Sequence, residues 1–213
     1  MPRAWPLFDL RIETPLLTLR LPTDPELEAL ADKAPGSVLT EECRHYLTHW
    51  TYQEPPYAQA SIMQFHWAAR ANLTPDDWRL TFAIFPKGHK QAAGCMDLMA
   101  NQFPVRKSVG SGSWLLKEWQ GQGLGSEARA GILQLAFGEL GAEEARSVAL
   151  AENQASRAVS LKNRYLEDGG EISAAQGSTA YPATRYLLTR DRWYSRDDIK
   201  ISGLEECRWL LGV

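Results

Sequence analysis

A chain of 213 residues, with 44% hydrophobic and 23% charged residues, can bury a sizeable core, which excludes wholesale disorder. A net charge of -3 without a long run of like charge argues against a nucleic-acid-binding face. Cys43, Cys95 and Cys207 are far apart, which argues against disulfides or a metal site and favours the cytoplasm. Residues 1–10 do not resemble a signal peptide, and no apolar run approaches the ~20 residues of a membrane span.

The first third of the chain predicts one strand followed by helices. Residues 12–21 alternate in part between apolar and polar and end at a proline, which favours a strand. Thr23 and Asp24 can cap the helix that follows. Residues 41–50 and 57–72 are two further predicted helices, separated by a pair of prolines.

The rest of the chain predicts an antiparallel meander and then alternating helices and strands. The predicted strands of the meander are 78–85, 91–99 and 107–116. The later predicted elements are helix 125–140, strand 146–150, helix 153–166, and strands from 172 and at 186–189. We therefore expect an α/β fold of the α+β type: a mixed, mostly antiparallel sheet with helices on its faces. We expect one domain over residues 1–213, with 197–213 a tail without a clear pattern.

A glycine-rich turn at residues 120–125 stands between a predicted strand and a predicted helix. The first N–H groups of a helix have no internal partner and, together with the helix dipole, attract anions. Glycines remove the Cβ atoms that would keep a phosphate away from the backbone. The segment therefore predicts a diphosphate cradle, formed by Gln120, Gly121, Gln122, Gly123, Leu124, Gly125 and Ser126.

The pattern Gln120-x-x-Gly123-x-Gly125 resembles the Gln/Arg-x-x-Gly-x-Gly/Ala signature of GNAT acetyltransferases. Residues 153–165 are similar to the Asn-x-x-Ser-x-x-Val-x-x-Lys-x-Gly-Phe stretch of the ribosomal-protein (RimJ/RimL-type) branch. The resemblance extends over about residues 12–192 and is clearest over 109–169. It implies a GNAT fold with a parallel strand pair at the cofactor cleft, acetyl-CoA as acetyl donor, and direct attack by an amine without an acyl-enzyme.

The resemblance also implies roles for individual residues. The backbone around Leu115 and Leu116 would meet the pantetheine arm and donate N–H groups to the thioester oxyanion. Asn153 would orient the donor, although capping of its helix explains this residue equally well. Ser156 would donate a hydrogen bond to the leaving thiolate. Ser160, one turn on, is the fallback, and we expect it to face solvent or to pack.

Three positions depart from the family pattern. Arg164 stands where the family has a glycine at the end of the second helix, so the bend there could differ. Gly110 occupies the position of a glutamate that is frequent in the branch, so no base carries over from it. Ser160 occupies the position of the tyrosine acid that many members use.

Asp97 is the best-placed general base that the sequence offers. It interrupts an apolar strand at 95–99, and it would act if that strand lines the acceptor cleft. The competing interpretation, at least as good, is an edge or solvent-facing residue. We interpret His66 as a partly buried histidine whose hydrogen-bonding groups are satisfied. We interpret Arg106 and Lys107 as an exposed loop.

The expected function is acetyl transfer to a primary amine, either a small molecule or a peptide or protein N-terminus. We expect no metal, nucleic-acid or membrane partner, and a homodimer is left open. Two alternatives remain: a non-catalytic acyl-CoA-binding module, and a dinucleotide-binding oxidoreductase. The latter fits Gly123-x-Gly125-x-x-Ala128 but lacks the repeated strand–helix units of a Rossmann domain.

Overall fold

A computed structural model describes residues 4–40, 49–175 and 179–213. The helices of this part are α1 Asp24–Lys33, α2 Tyr57–Ala71, α3 Phe103–Arg106, α4 Leu124–Leu133 and α5 Gln154–Lys162. The strands are β1 Arg11–Glu13, β2 Leu17–Arg20, β3 Trp78–Pro86, β4 Gly94–Ala100, β5 Ser108–Leu115, β6 Glu144–Leu150, β7 Leu166–Ala175, β8 Thr179–Thr189 and β9 Lys200–Ser202. The helix predicted at 41–50 lies mostly outside the described residues, and His49–Tyr52 form a 3-10 turn.

The described strands form one nine-stranded sheet in the order β7-β8-β6-β5-β4-β3-β2-β1-β9. Within it, β5 and β6 run parallel and the other neighbours run antiparallel. Helices cover both faces. Met96 and Leu98 of β4 share a buried cluster with Ile132 of α4. Cys95, which points to the opposite face, is buried with Leu27 of α1 and other residues of that side. The mixed, mostly antiparallel sheet with one parallel pair is thus confirmed.

The single strand predicted at 12–21 is wrong. The segment forms a hairpin of β1 and β2, paired Ile12 to Leu19. The turn comes from Thr14, whose hydroxyl accepts hydrogen bonds from the N–H groups of Leu16 and Leu17, both at 3.2 Å. Side-chain turns of this kind compete with extended pairing. The α1 cap is confirmed for Thr23, which forms a capping box with Glu26 and donates its N–H to the Glu26 carboxylate at 2.9 Å, whereas Asp24 is the first residue of the helix.

The meander is confirmed, and the later elements differ from expectation mainly at their ends. The helix predicted over 125–140 is α4 followed by one π turn, Gln134–Glu139. The helix predicted to reach 166 ends at Lys162, and β7 begins at Leu166. Between them Arg164 adopts φ 65°. A left-handed bend therefore forms at the family glycine position without a glycine.

The tail 197–213 is structured. Its strand β9 pairs with β1, residue Ile201 opposite Ile12. The 3-10 turn Glu205–Leu210 follows, and Cys207 is fully buried in the main core. The Trp78 indole N–H donates to the carbonyl of Leu211 at 3.2 Å. Chain segments far apart in sequence thus close this end of the sheet.

Arg129 of α4 is a buried cation, only 2% exposed, with Nε and Nη1 lacking acceptors among the described residues. Its guanidinium lies 5.7 Å from the centre of the Tyr165 ring. Burying a charge without acceptors costs free energy, and apolar replacement of buried ions is often neutral or stabilising by about 1–4 kcal/mol. Arg129→Met is therefore expected to leave the free energy of unfolding unchanged or raise it, as measured by urea denaturation.

The matched control for that substitution is Arg190→Met. Arg190 Nη2 donates to the Phe137 carbonyl at 2.8 Å and Nε donates to the Ala142 carbonyl at 3.0 Å. Its loss leaves these carbonyls with one donor fewer, so the control is expected to destabilise the protein by about 1–3 kcal/mol. Destabilisation of the Arg129 variant by as much as the control would show that the buried guanidinium is bonded in solution.

Candidate active site

A gap opens between the two parallel strands. Their pairing ends at Gly110 opposite Arg146. Beyond that point β5 remains paired with β4 as far as Leu115, and β6 remains paired with β8 as far as Leu150. The backbone groups on the facing edges of the two strands are therefore left without a strand partner, which provides a place for an extended ligand arm.

The register decides which backbone groups face this gap. The Leu116 N–H donates to the Ala93 carbonyl at 2.9 Å, on the β4 side. Along an antiparallel strand, successive residues direct their N–H groups to opposite edges, so Leu115 directs its N–H to the gap. The expectation that Leu116 supplies an N–H donor is therefore wrong. Its amide is engaged, and its side chain is 2% exposed in the core beneath α1 and α2.

The glycine turn joins β5 to α4. Gly121 and Gly123 have φ 72° and 82°, and a Cβ built on either residue meets no atom within 4 Å. Both positions thus need glycine for their backbone conformation and leave open space next to the backbone. Helix α4 begins at Leu124, so the N–H groups of its first turn have no partner within the helix. This arrangement fits a diphosphate.

The two glutamine side chains of the turn support it internally. Gln120 Nε2 donates to the carbonyls of Val38 (2.9 Å) and Leu115 (2.8 Å). Gln122 Nε2 donates to the Glu118 carbonyl at 2.6 Å. These side chains stabilise the turn. The Gln120 N–H is itself donated to the Lys117 carbonyl at 3.1 Å, so of the two residues Gln122 is the one whose backbone N–H can bind an anion.

Helix α5 packs against the first turn of α4. A Cβ on Gly125 would lie 3.5 Å from Val159 and 3.7 Å from Leu115, which is ordinary contact. Asn163 Nδ2 donates to the Ser126 carbonyl at 3.2 Å. The packing of α5, the start of α4 and the end of β5 brings the predicted donor-binding residues into one region.

Asn153 and Ser156 are linked at the start of α5. The Asn153 carboxamide oxygen accepts the Ser156 N–H at 2.9 Å, so Asn153 caps the helix. Ser156 is half-buried and lies three residues before Val159, hence on the face that packs against α4. Ser160 is fully buried, so of its two expected environments packing is correct and solvent exposure is wrong.

Asp97 is neither on an edge strand nor exposed to solvent, and that alternative is wrong. Strand β4 lies between β3 and β5, and the Asp97 side chain is 14% exposed. Asp97 Oδ2 lies 3.3 Å from Arg79 Nη1, whereas Oδ1 is buried and has no partner among the described residues. Burial raises the pKa of Asp97 from 3.8 to about 6, although Arg79 opposes the rise.

The strand residue opposite Asp97 is Gly112. A Cβ there would lie 4.0 Å from Asp97 Oδ2, and a Cβ on Gly110 would lie 3.1 Å from Met99 Cγ. Strand β5 therefore carries no side chain on this face beside Asp97. The gap lies on the far side of β5, and β5 is one strand spacing (~4.8 Å) from β4. The carboxylate can therefore face the gap with only the β5 backbone between them.

A cavity of about 540 Å³ lies on the same face, between the end of α2 and the starts of β3 and β5. Its wall includes Phe65, Ala68, Ala69, Asn72, Asp77, Trp78, Arg79, Met99, Ala100, Asn101, Arg106, Ser108, Val109, Gly110 and Arg146. Arg79 belongs both to this wall and to the Asp97 ion pair. Such a volume suits a small ligand or a short peptide segment.

Residues 17–165 match the family model described as Acetyltransferase (GNAT) domain. The chain belongs to the GNAT acetyltransferases. It is an N-acetyltransferase with acetyl-CoA as the acetyl donor, and the dinucleotide-binding oxidoreductase is excluded. No helix of the described part is long and apolar enough to cross a membrane.

Solved structures share this GNAT fold at low sequence identity. A Vibrio cholerae protein assigned as a ribosomal-protein-serine acetyltransferase is 22% identical, with TM-score 0.64, covering 84% of this chain and 97% of its own. RimL, a ribosomal L7/L12 α-N-protein acetyltransferase bound to coenzyme A, is 18% identical, with TM-score 0.62 and coverage of 83% and 95%. The microcin C7 self-immunity acetyltransferase, bound to acetyl-CoA and AMP, is 18% identical, with TM-score 0.61 and coverage of 82% and 93%.

The sequence alone does not indicate that arginines lie near Asp97 and line the neighbouring cavity. Arg79 and Thr81 lie on one face of β3, and Thr81 is opposite Asp97, so Arg79 is a diagonal neighbour of that carboxylate. Only the strand register reveals this. Arg106 is exposed as expected, but it ends α3 instead of lying in a loop, and it lines the cavity; Lys107 is half-buried rather than exposed. His66 is 2% exposed, hence fully rather than partly buried. Its Nε2 lies 3.6 Å from Cys95 Sγ and its Nδ1 lacks a partner among the described residues, so the ring is satisfied at one nitrogen only.

Gly123→Val is expected to weaken acetyl-CoA binding at least tenfold, about 1.4 kcal/mol, because a β-branched side chain cannot keep φ 82° and would project into the open space of the turn. Gly141→Val is the matched control: its φ is 74°, its Cβ is equally unobstructed, and it lies beyond the far end of α4. Calorimetry gives both affinities. Equal affinity of folded Gly123→Val and wild type would refute the phosphate cradle.

Proposed function

We propose that acetyl-CoA binds in the gap between β5 and β6, with its pyrophosphate on residues 120–126, and that a primary amine attacks the thioester from the Asp97 side. The acetyltransferase domain would span residues 1–213. The observation that carries the proposal is the buried carboxylate of Asp97, whose Oδ1 has no partner among the described residues and whose Oδ2 lies beside Gly112, the β5 residue opposite it.

The donor half rests on the backbone. In this proposal, N–H groups of the glycine turn and the first turn of α4 bind the pyrophosphate. The N–H of Leu115 faces the gap and donates to the thioester oxygen as it becomes an oxyanion. Asn153 orients the donor in addition to capping α5, which is supported only by the motif and by its place at the start of that helix.

The chemical step needs a base and a donor to the leaving group. The Asp97 carboxylate removes one proton from the acceptor's ammonium, which frees the nitrogen lone pair to attack the carbonyl carbon. The C–N bond forms, the C–S bond breaks, and the CoA thiolate leaves. The proton that remains on the acylated nitrogen passes to this thiolate, which gives the neutral amide and the CoA thiol. The hydroxyl of Ser156 hydrogen-bonds this thiolate. A carboxyl with a pKa of about 6 is well matched to a base that must be ionised near neutral pH.

The acceptor class is a primary amine of a small molecule or of a peptide or protein N-terminus. The similarity of residues 153–165 to the RimJ/RimL-type branch supports the second. So does the fold shared with RimL, which acts on a protein α-amine. We place the protein in the cytoplasm on its cysteine usage.

The experiment that tests this function is thiol release from acetyl-CoA with a panel of amines and peptides, with mass spectrometry of each product. An N-acetylated product formed in step with free CoA is the expected result. Tight acetyl-CoA binding without transfer to any amine would instead identify a non-catalytic acyl-CoA-binding module. Light scattering of the same sample distinguishes a monomer from a homodimer.

A further inference from the structure

Among the described residues that line the cavity beside Asp97, cationic side chains outnumber carboxylates, although the carboxylates that pair with Arg79 and Arg146 lie just outside this lining. Three arginines, Arg79, Arg106 and Arg146, line it, and Asp77 is the one carboxylate among the described lining residues. A cleft with an excess of one charge attracts ligands of the opposite charge. An amine acceptor is itself cationic, so a positive wall is unfavourable unless the acceptor also carries an anion.

The three arginines differ in their partners. Arg146 is held by Glu144 at 2.9 Å and Asp168 at 3.4 Å, and Arg79 is held by Asp97. Arg106 Nη1 donates to the neutral Asn101 side-chain oxygen at 3.2 Å. Glu144 interacts with Arg106 electrostatically, but within the described part of the chain no carboxylate lies close enough to Arg106 for an ion pair. Arg106 is therefore the cation best able to accept an anionic ligand.

The backbone that presents Arg106 is strained and fixed. Gln102 and Lys107, on either side of α3, have φ 50° and 47°, which is uncommon for residues other than glycine. Asp77 accepts the Gln102 N–H at 3.0 Å, and the Lys107 carbonyl accepts the Glu143 N–H at 2.7 Å. Strain of this kind persists where the surroundings hold it and is frequent at ligand sites. The guanidinium is thus attached to a pre-organised support.

We propose that the acceptor carries a carboxylate or phosphate in addition to its amine, and that Arg106 binds this anion while the amine lies at Asp97. This inference rests on the proposed acetyl transfer. Gly112, opposite Asp97, and Ser108, at the Arg106 end of the cavity, are four residues apart on β5, about 13 Å along the strand. Apolar Phe65 and Met99 belong to the same wall, so an apolar spacer suits the middle of the acceptor.

The test compares acceptors that differ only in the anion. The probes are 6-aminohexanoate and 8-aminooctanoate, each against its primary amide, and 6-aminohexyl phosphate; a tetrapeptide with Glu or Gln at its third position represents a protein N-terminus. Each is measured at fixed ionic strength by calorimetry on the CoA-saturated protein and by thiol release. We expect the anionic member of at least one pair to bind at least tenfold more tightly, and to show a correspondingly lower KM.

Arg106→Gln should abolish this preference while leaving the affinity for acetyl-CoA unchanged, and Arg106→Lys should retain part of it, because lysine keeps the charge but not the planar fork. Arg192→Gln, an exposed arginine after β8 and outside the cavity, is the matched control and should retain the full preference. Thermal unfolding verifies that all three variants are folded.

The outcomes separate this inference from the proposed function. Turnover of amides and anions alike, or a preference that survives Arg106→Gln, would overturn the role of Arg106 and leave acetyl transfer intact. Preferential binding of anions that depends on Arg106, without turnover of any amine, would retain the anion site and refute the proposed reaction. A preference for carboxylate over phosphate, or the reverse, identifies the anion.

Discussion

Asp97→Asn is expected to lower kcat by about 10²–10⁴-fold, the contribution typical of a general base. The amide has nearly the shape of the carboxyl but cannot take a proton from the acceptor's ammonium. The affinity for acetyl-CoA should change little, because the proposed donor site lies on the other side of β5. Thiol-release kinetics and calorimetry measure the two quantities separately.

The pH dependence provides a sharper criterion than the rate alone. Since the base must be ionised and burial raises the pKa of Asp97 to about 6, wild-type kcat/KM should rise with pH through about 6. This rise, the acidic limb of the pH profile, should be absent from Asp97→Asn. Arg79→Met should shift it upward, because the guanidinium favours the ionised carboxylate. A folded Asp97→Asn protein with near-normal kcat and an unchanged acidic limb would assign proton removal to water or another group.

The same substitution is expected to stabilise the fold at neutral pH. A folded-state pKa raised from 3.8 to about 6 means that the native protein binds this proton more tightly than the unfolded chain does. The stabilisation is complete below about pH 3.8 and is lost as the pH rises through about 6, a difference of about 3 kcal/mol. Asp97→Asn removes this loss. Its free energy of unfolding, measured by urea denaturation, should therefore exceed that of the wild type most at pH 7–8 and differ little from it near pH 4.

Ser156→Ala is expected to lower kcat by about 10²-fold, the cost typical of losing one hydrogen-bond donor in the transition state. The hydroxyl would stabilise the departing thiolate, so acetyl-CoA affinity should be nearly unchanged. Alanine is the best helix former, and the cap depends on the Ser156 N–H rather than its hydroxyl, so α5 should remain intact.

Ser160→Ala is the matched control for this substitution. Ser160 lies one turn further along the same helix, and its hydroxyl is fully buried without a partner among the described residues. It should retain wild-type kcat. A strong loss in Ser160→Ala with normal kcat in Ser156→Ala would transfer the donor role to Ser160. Loss of acetyl-CoA affinity at constant kcat would make Ser156 a plain binding contact.

Local patterns in the sequence determined much of the fold, including the glycine turn on which the proposed donor site rests. The glycine turn before α4, the caps of α1 and α5, and the meander all depend on residues close together in the chain, and the structure has them at or near the predicted bounds. Such features are encoded by φ preferences, side-chain caps and alternation, which need no knowledge of distant segments.

Only the tertiary structure decided what distant segments do to one another. The Arg79–Asp97 pair depends on the β3–β4 register, and the engagement of the Leu116 N–H depends on the backbone of Ala93. The pairing of β9 with β1 joins residues nearly 190 positions apart. Register and long-range pairing arise from burial and hydrogen bonding over the whole sheet. These contacts meet on the acceptor side. Before the fold was known, the sequence therefore indicated only a single carboxylate there, Asp97 in its apolar strand.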